Sequence, residues 1–327
     1  MKNNCLNVWK GIAAFFVVFI HCSFPSPVGG MMNGLARWAV PMFFLISGYF
    51  SYGKGADTVK RRICRTFGLF VLANGIYFLW KLVTLWSEGI LTVPVVQSWF
   101  AAEPRFKWLV WNQSPFMGHL WFLGALLYCY LFYALLVRKG WEERFYLLIP
   151  LCLAGNLLLG VVLPVLGQET SFLHVRNFWL TGLPFFLWGH WFARQEGQGK
   201  LRIRAGYCLA GIAAGAGLSM VEMLLSGGAE LYLGSILIAA GLFLLALRHP
   251  DWGKESLLER IGARDSLHIY LWQMILIDLT QAVAYTCGFR EHMVYQWLMP
   301  IWICLISWLF AEGIQKGLQN RIIPKKG

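Results

Sequence analysis

Long apolar runs, broken by short clusters of charge, follow one another from end to end of this chain. Ten of them approach the roughly twenty residues a helix needs to cross a hydrocarbon core about 30 Å thick. They cover residues 6–25, 37–53, 66–87, 118–138, 145–165, 176–194, 205–225, 231–248, 266–286 and 295–315. Backbone in lipid must satisfy its own hydrogen bonds, and for isolated runs of this length the helix does so. The pattern predicts an all-α polytopic membrane helix bundle of about ten transmembrane helices, a single integral membrane domain over residues 1–327 with no soluble domain attached. The seventh and eighth runs are rich in glycine and alanine, as in AGIAAGAGLSM of the seventh, and such small residues suit close helix packing in lipid. No internal repeat or low-complexity linker is visible.

Composition strengthens the membrane reading. Hydrophobic residues make up 58% and charged residues 13%, with a mean hydropathy of +0.56; a soluble domain carries about 25% charged residues. The net charge of +12 does not indicate nucleic acid, because the basic residues lie in short loops between apolar runs rather than in an aromatic-interleaved patch. With the N-terminus in the cytoplasm, 21 of the 28 lysines and arginines fall in inside segments and five outside. That bias predicts an N-in, C-in topology, with the chain multi-pass in the plasma membrane. The first run follows Lys2 and Lys10 as a signal peptide would, but CSFPSP offers no A-x-A-like site, so it reads as a retained first helix.

The eight cysteines form neither a CxxC nor a Cys/His cluster, so no metal is expected. Cys22 and Cys287 both fall near the outer surface in this topology; a disulfide between them is compatible with sequence but cannot be deduced from it. The longest outside segment, about 88–117, holds Trp99, Trp108 and Trp111. Tryptophans there read first as interfacial anchors, and a loop of that length reads second as the lining of a binding site.

Within the first run, KGIAAFFVVFIH places Lys10 eleven residues before His21. Eleven steps of roughly 100° return the two side chains to within about 20° of one helix face, about 16 Å apart. Ionisable residues in membrane segments are functional candidates by default. Histidine suits general-base work near neutral pH, and lysine alone would be read as snorkelling to the head groups. Asp278 falls in the outer half of the ninth run, at a depth compatible with orienting His21 or with pairing Lys81 or Arg37. His119 is a second base candidate or an interfacial residue; Asn74 and Asn156 read as interhelical hydrogen-bond glue. His190 and His268 fall near the inner surface, too far from His21 to partner it.

These residues resemble a known family. KGIAAFFVVFIH is similar to the arginine-x10-histidine motif of the acyltransferase-3 family of integral membrane acyltransferases, with lysine in place of arginine. PMFFLISGYF (Pro41 to Phe50), KRRICR (Lys60 to Arg65), HLWFLGALL (His119 to Leu127) and SLHIYLWQMIL (Ser266 to Leu276) resemble its later landmarks, in order. The resemblance implies transfer of an acyl group, usually acetyl, from cytoplasmic acyl-CoA to a hydroxyl of an extracytoplasmic glycan, cell-wall or lipid-linked acceptor, with no metal. It places His21 as the family histidine, Lys10 as the motif's cation, and Ser47 and Gly48 as the serine-glycine pair, which with the basic residues that follow is a candidate to bind the donor. Arg61, Arg62 and Arg65 are then candidates to pair the phosphates of acyl-CoA, or they only enforce topology. Two departures stand out. Lysine lacks arginine's bidentate fork, and Gln273 stands where relatives often have histidine, able to donate and accept hydrogen bonds but not to shuttle a proton. The alternative is a non-catalytic or proton-coupled transporter of a small amino acid such as serine, since the membrane domains of vancomycin-resistance serine racemases resemble the same family.

Overall fold

The fold was taken from a computed structural model, which describes residues 3–202 and 204–322. Lys2, Lys325 and Lys326, counted in the charge bias, lie outside the described residues. The described residues are helical, with no strand. In chain order the helices are α1 (Asn4–His21), α2 (Val28–Ala36), α3 (Ala39–Tyr49), α4 (Ala56–Ser87), α5 (Val93–Ser98), α6 (Ala102–Trp111), α7 (Trp121–Lys139), α8 (Leu148–Leu157), α9 (Leu163–Val165), α10 (Leu183–Gly197), α11 (Ala205–Ser226), α12 (Leu233–Arg248), α13 (Leu257–Arg260), α14 (Ser266–Thr286) and α15 (Met293–Ile322).

All ten apolar runs are helical, but seven helical segments among the described residues are long and apolar enough to cross a membrane. They are Asn4–His21, Ala56–Ser87, Gly118–Lys139, Arg144–Val165, Ala205–Ser226, Leu257–Thr286 and Met293–Gly317, with Leu233–Arg248 apolar but shorter. The run at 37–53 is not among the seven because its helix, α3, has 11 residues. Gly53, at φ +65, ends the turn that follows it. The run at 176–194 opens on a π turn, Phe178–Gly182, and a second π turn, Leu158–Val162, separates α8 from α9. Each lies just before a proline (Pro184, Pro164), whose ring opposes the carbonyl four residues back. The segment 88–117, expected as an irregular loop, folds largely as α5 and α6.

The chain forms two compact units. Unit 1 comprises Met1–Phe43, Ile203–Gly228 and Tyr232–Gly327. Its α1 starts at an Asn3 cap, whose side chain accepts from Leu6 N at 2.9 Å. Ala14, Val18 and Cys22, four residues apart, form one ridge of α1 and share an apolar core with Ile269 and Ile277 of α14 and Ile303 and Ala311 of α15. Near its start α1 crosses the segment leading into α14 at glycines: a Cβ on Gly11 would stand 2.5 Å from Leu258 O, and one on Gly262 1.7 Å from Asn7 O. The α11–α12 pair packs as the glycine-rich runs suggest, with Gly215 and Gly234 meeting each other's backbone. The carboxylate of Glu222 then accepts from Leu233 N and Gly234 N at 3.0 and 2.9 Å, capping α12. Cys22 and Cys287 are both free thiols.

Unit 2 comprises Phe44–Arg202 and Ala229–Leu231. Here the end of α3 crosses α10 with no room for side chains: a Cβ on Gly48 would lie 1.8 Å from Phe186 O, and one on Gly189 1.9 Å from Leu45 O. Phe44, Phe185 and Phe186, all at 0% exposure, fill the space around that crossing. Asn156 donates to Leu180 O at 3.0 Å and Thr181 Oγ1 at 2.9 Å, and Asn74 accepts from Ser114 Oγ at 2.8 Å. Both asparagines bond between segments, as expected of interhelical glue. Trp99 is no lipid anchor: it is 7% exposed, packed on Phe78 and Phe116, with Lys81 Nζ 4.4 Å above its ring. Lys81 also donates to Pro115 O at 2.7 Å, so the α5–α6 segment is pinned to α4 through backbone and ring.

Candidate functional site

In unit 1 the chemistry-bearing residues sit on two adjacent helices. Lys10 and His21 are half-buried, with His21 the last residue of α1. Their shared face borders the Ala14–Val18–Cys22 ridge, since His21 is about 60° around the helix from Val18. The α13–α14 segment runs alongside in the same direction. Asn7 Nδ2 donates to Glu259 Oε1 at 2.9 Å, Gly11 meets Gly262, and Cys22 shares its core with Ile277. Counting from the Gly11–Gly262 crossing at 1.5 Å per residue, Gln273 comes level with His21 to within about 2 Å, and Asp278 lies about 9 Å farther on. Asp278 is half-buried like the two residues on α1.

The remaining expected site residues belong to unit 2. Lys60 to Arg65 do not form a loop: KRRICR occupies early turns of α4. Helical geometry then separates the arginines. Arg61 and Arg65, four apart, share an exposed face, and Arg61 donates to Thr58 Oγ1 at 3.3 Å. Arg62 points the other way. It is half-buried, donates to Ser51 Oγ at 2.8 Å and Phe50 O at 2.9 Å, and holds the chain where it leaves α3. Gly48 serves the α3–α10 crossing, and Ser47 O accepts from Ser51 Oγ at 2.7 Å.

His190, expected near the inner surface, is 3% exposed on α10. Tyr133 Oη donates to Ser51 O at 2.8 Å, so its oxygen is left to accept from His190 Nε2–H at 3.2 Å. His190 Nδ1 must then accept from Tyr146 Oη at 2.8 Å. The bonds select one neutral tautomer. Tyr52 packs edge-on at 5.2 Å, and nearby Arg194 pairs Glu143 at 2.5 Å while Tyr49 donates to Glu196 at 2.5 Å. A chain of bonds therefore runs from Tyr146 through His190, Tyr133 and Ser51 to Arg62. No spacing in the sequence signals it, because its members come from five separate segments. His119 is buried against the Tyr77 ring, 4.9 Å away.

What this arrangement offers chemically is an imidazole and an ammonium on one helix of unit 1, and on unit 2 two exposed guanidinium groups beside a third that is held in the frame. No group of three or more histidine, cysteine or acidic side chains among the described residues is placed to hold a metal ion. The sequence profile of the acyltransferase-3 family, described as an acyltransferase domain, matches residues 3–312. No curated protein and no solved structure matches the chain.

Proposed function

Since the chain belongs to the acyltransferase-3 family of membrane acyltransferases, we propose that it moves an acyl group, in the first instance acetyl, from cytoplasmic acyl-CoA to a hydroxyl of an extracytoplasmic glycan, cell-wall or lipid-linked acceptor. The observation that carries this reading is the half-buried Lys10–His21 pair on one face of α1, inside the matched region. His21 takes the proton of the acceptor hydroxyl as its oxygen attacks the thioester carbonyl carbon. The new O–C bond forms, the C–S bond breaks, and CoA leaves as thiolate to be protonated in water. Lys10, eleven residues nearer the start of α1, supplies positive charge toward the CoA side. Asp278 on neighbouring α14, about 9 Å past the level of His21, adds a negative charge that favours the imidazolium from a distance.

The N-in, C-in orientation suits this chemistry. It puts the start of α4 on the cytoplasmic side, where Arg61 and Arg65 face solvent and meet the phosphates of the donor. Arg62 stiffens that platform from below through its bonds to Phe50 and Ser51. The protein lies in the plasma membrane, where cytoplasmic donor and surface acceptor are both in reach.

The test is mass spectrometry of surface glycans from cells carrying the wild-type gene, no gene, or His21→Ala. Acylation present only with wild type is the expected result, the His21→Ala protein being made at normal level. General-base removal should lower turnover roughly 10²- to 10⁴-fold. Acylation that persists with His21→Ala would overturn the assignment. Unchanged acylation with altered serine uptake would replace it with the transporter reading.

A further inference from the structure

The core of unit 1 contains an amide that nothing there satisfies. Gln273 on α14 is 0% exposed, and neither its Oε1 nor its Nε2 has a hydrogen-bond partner. Ser307 on α15 is also 0% exposed, with its Oγ equally unpartnered. The residues one turn to either side, Ile269 and Ile277, Ile303 and Ala311, all belong to the apolar cluster shared with Ala14, Val18 and Cys22. α14 and α15 run antiparallel, joined at one end by Gln315 Nε2 donating to Arg264 O at 3.1 Å and at the other by the Phe289 and Tyr295 rings at 5.3 Å. The sequence numbers of each contacting pair sum to about 580, and so do those of Gln273 and Ser307, which puts the two side chains in one layer.

Buried polar atoms are nearly always paired, and an exception in a well-packed core calls for a reason. An apolar side chain of the same shape would be better tolerated at both positions. The layer is also placed for chemistry: Gln273 is level with His21 along the parallel helices α1 and α14, and the imidazole sits at the edge of the α1 ridge that faces this core.

We propose that Gln273 is a catalytic residue whose Nε2–H binds the carbonyl oxygen of the acyl group during transfer, with the Ser307 hydroxyl as a second donor in the same layer. The inference rests on the acyltransferase reading above and names a residue that reading does not use. When the acceptor oxygen attacks the thioester carbon and His21 takes its proton, the carbonyl π pair moves onto oxygen. That oxyanion forms at the amide N–H, which is already desolvated and needs no reorganisation. As the pair returns, the C–S bond breaks and the CoA thiolate leaves. A neutral amide suits the position because a charged donor would cost far more to bury among isoleucines.

Gln273→Met keeps the length of the side chain and removes both polar atoms. Its kcat for transfer from acetyl-CoA in detergent-solubilised full-length protein should fall roughly 10²- to 10³-fold, with KM for acetyl-CoA little changed. Its melting temperature should stay level or rise, because an unpaired amide has gone from the core. Gln273→His, which restores an N–H donor, should recover most of the lost rate. The stretch of a ¹³C-labelled thioester carbonyl, read by infrared difference spectroscopy on the bound donor, should move to lower frequency in wild type and not in Gln273→Met. A Gln273→Met protein that turns over like wild type overturns the inference, as does one that fails to fold, since the amide would then be structural. A wild-type protein that consumes no acetyl-CoA overturns the acyltransferase reading itself and takes this inference with it, an outcome separable from the other two by the wild-type assay alone.

Discussion

The polar cluster around His190 in unit 2 and the polar layer at Gln273 in unit 1 are both buried, and they treat buried polarity in opposite ways. Around His190 both ring nitrogens and the hydroxyls of Tyr133 and Tyr146 are engaged, and the bonds continue through Ser51 to Arg62. At Gln273 and Ser307 the amide and hydroxyl have no bonds, in the midst of isoleucine and alanine. A satisfied network specifies a fold. An unsatisfied one is an expense that a membrane protein keeps for another purpose. Buried histidine is the more eye-catching residue in a sequence, yet the histidine is here the structural group and the glutamine the candidate for chemistry.

That contrast can be broken by substitution, and three changes in unit 2 should act on stability. The largest effect belongs to Gly48→Ala. Its new Cβ meets the Phe186 carbonyl at 1.8 Å, and backbone cannot step aside as a side chain would. The cost should exceed the usual overpacking range of about 1–3 kcal/mol, seen as loss of monodisperse protein by size-exclusion chromatography. His190→Leu comes next. It removes the acceptor of the half-buried Tyr146 hydroxyl and the donor to Tyr133, which keeps its bond to Ser51 O, and an unmet hydroxyl of this kind costs about 1–3 kcal/mol. Its melting temperature should fall while turnover per folded molecule is kept, the reverse of Gln273→Met; a loss of turnover at unchanged melting temperature would erase the distinction between the two regions. The smallest effect is that of Arg62→Lys. Lysine cannot hold Phe50 O and Ser51 Oγ with one planar fork, and the loss of one bond should cost about 1 kcal/mol, measurable by the same thermal scan.

Much of unit 1 was legible along the chain. The Lys10–His21 face is a matter of helical period, and α1 delivers it because its 18 residues run unbroken from the Asn3 cap to His21. The glycines of the seventh and eighth runs were rightly read as packing residues and, in unit 2, Asn74 and Asn156 as glue. Other readings failed for identifiable reasons. KRRICR looked like a loop because its charge ends the hydropathy signal, although nothing in it breaks a helix, and α4 runs straight through it. Trp99 looked like an anchor because composition cannot tell a ring facing lipid from one closed under Phe78, Phe116 and Lys81. Gly48 looked like part of a binding motif, while its lack of a side chain is used by Phe186, 138 positions away.

The order of residues was enough to establish membrane-length helices, the face shared by Lys10 and His21, and the family to which the chain belongs, because each depends on spacings of a few residues or on motifs read locally. Packing alone settled which polar atoms are paired. Ser51 meets Tyr133 across 82 positions, and Gln273 is left alone by helices that touch only once folded. Hydrogen bonding is satisfied in space, atom by atom, and a one-dimensional pattern contains no record of which partners will arrive.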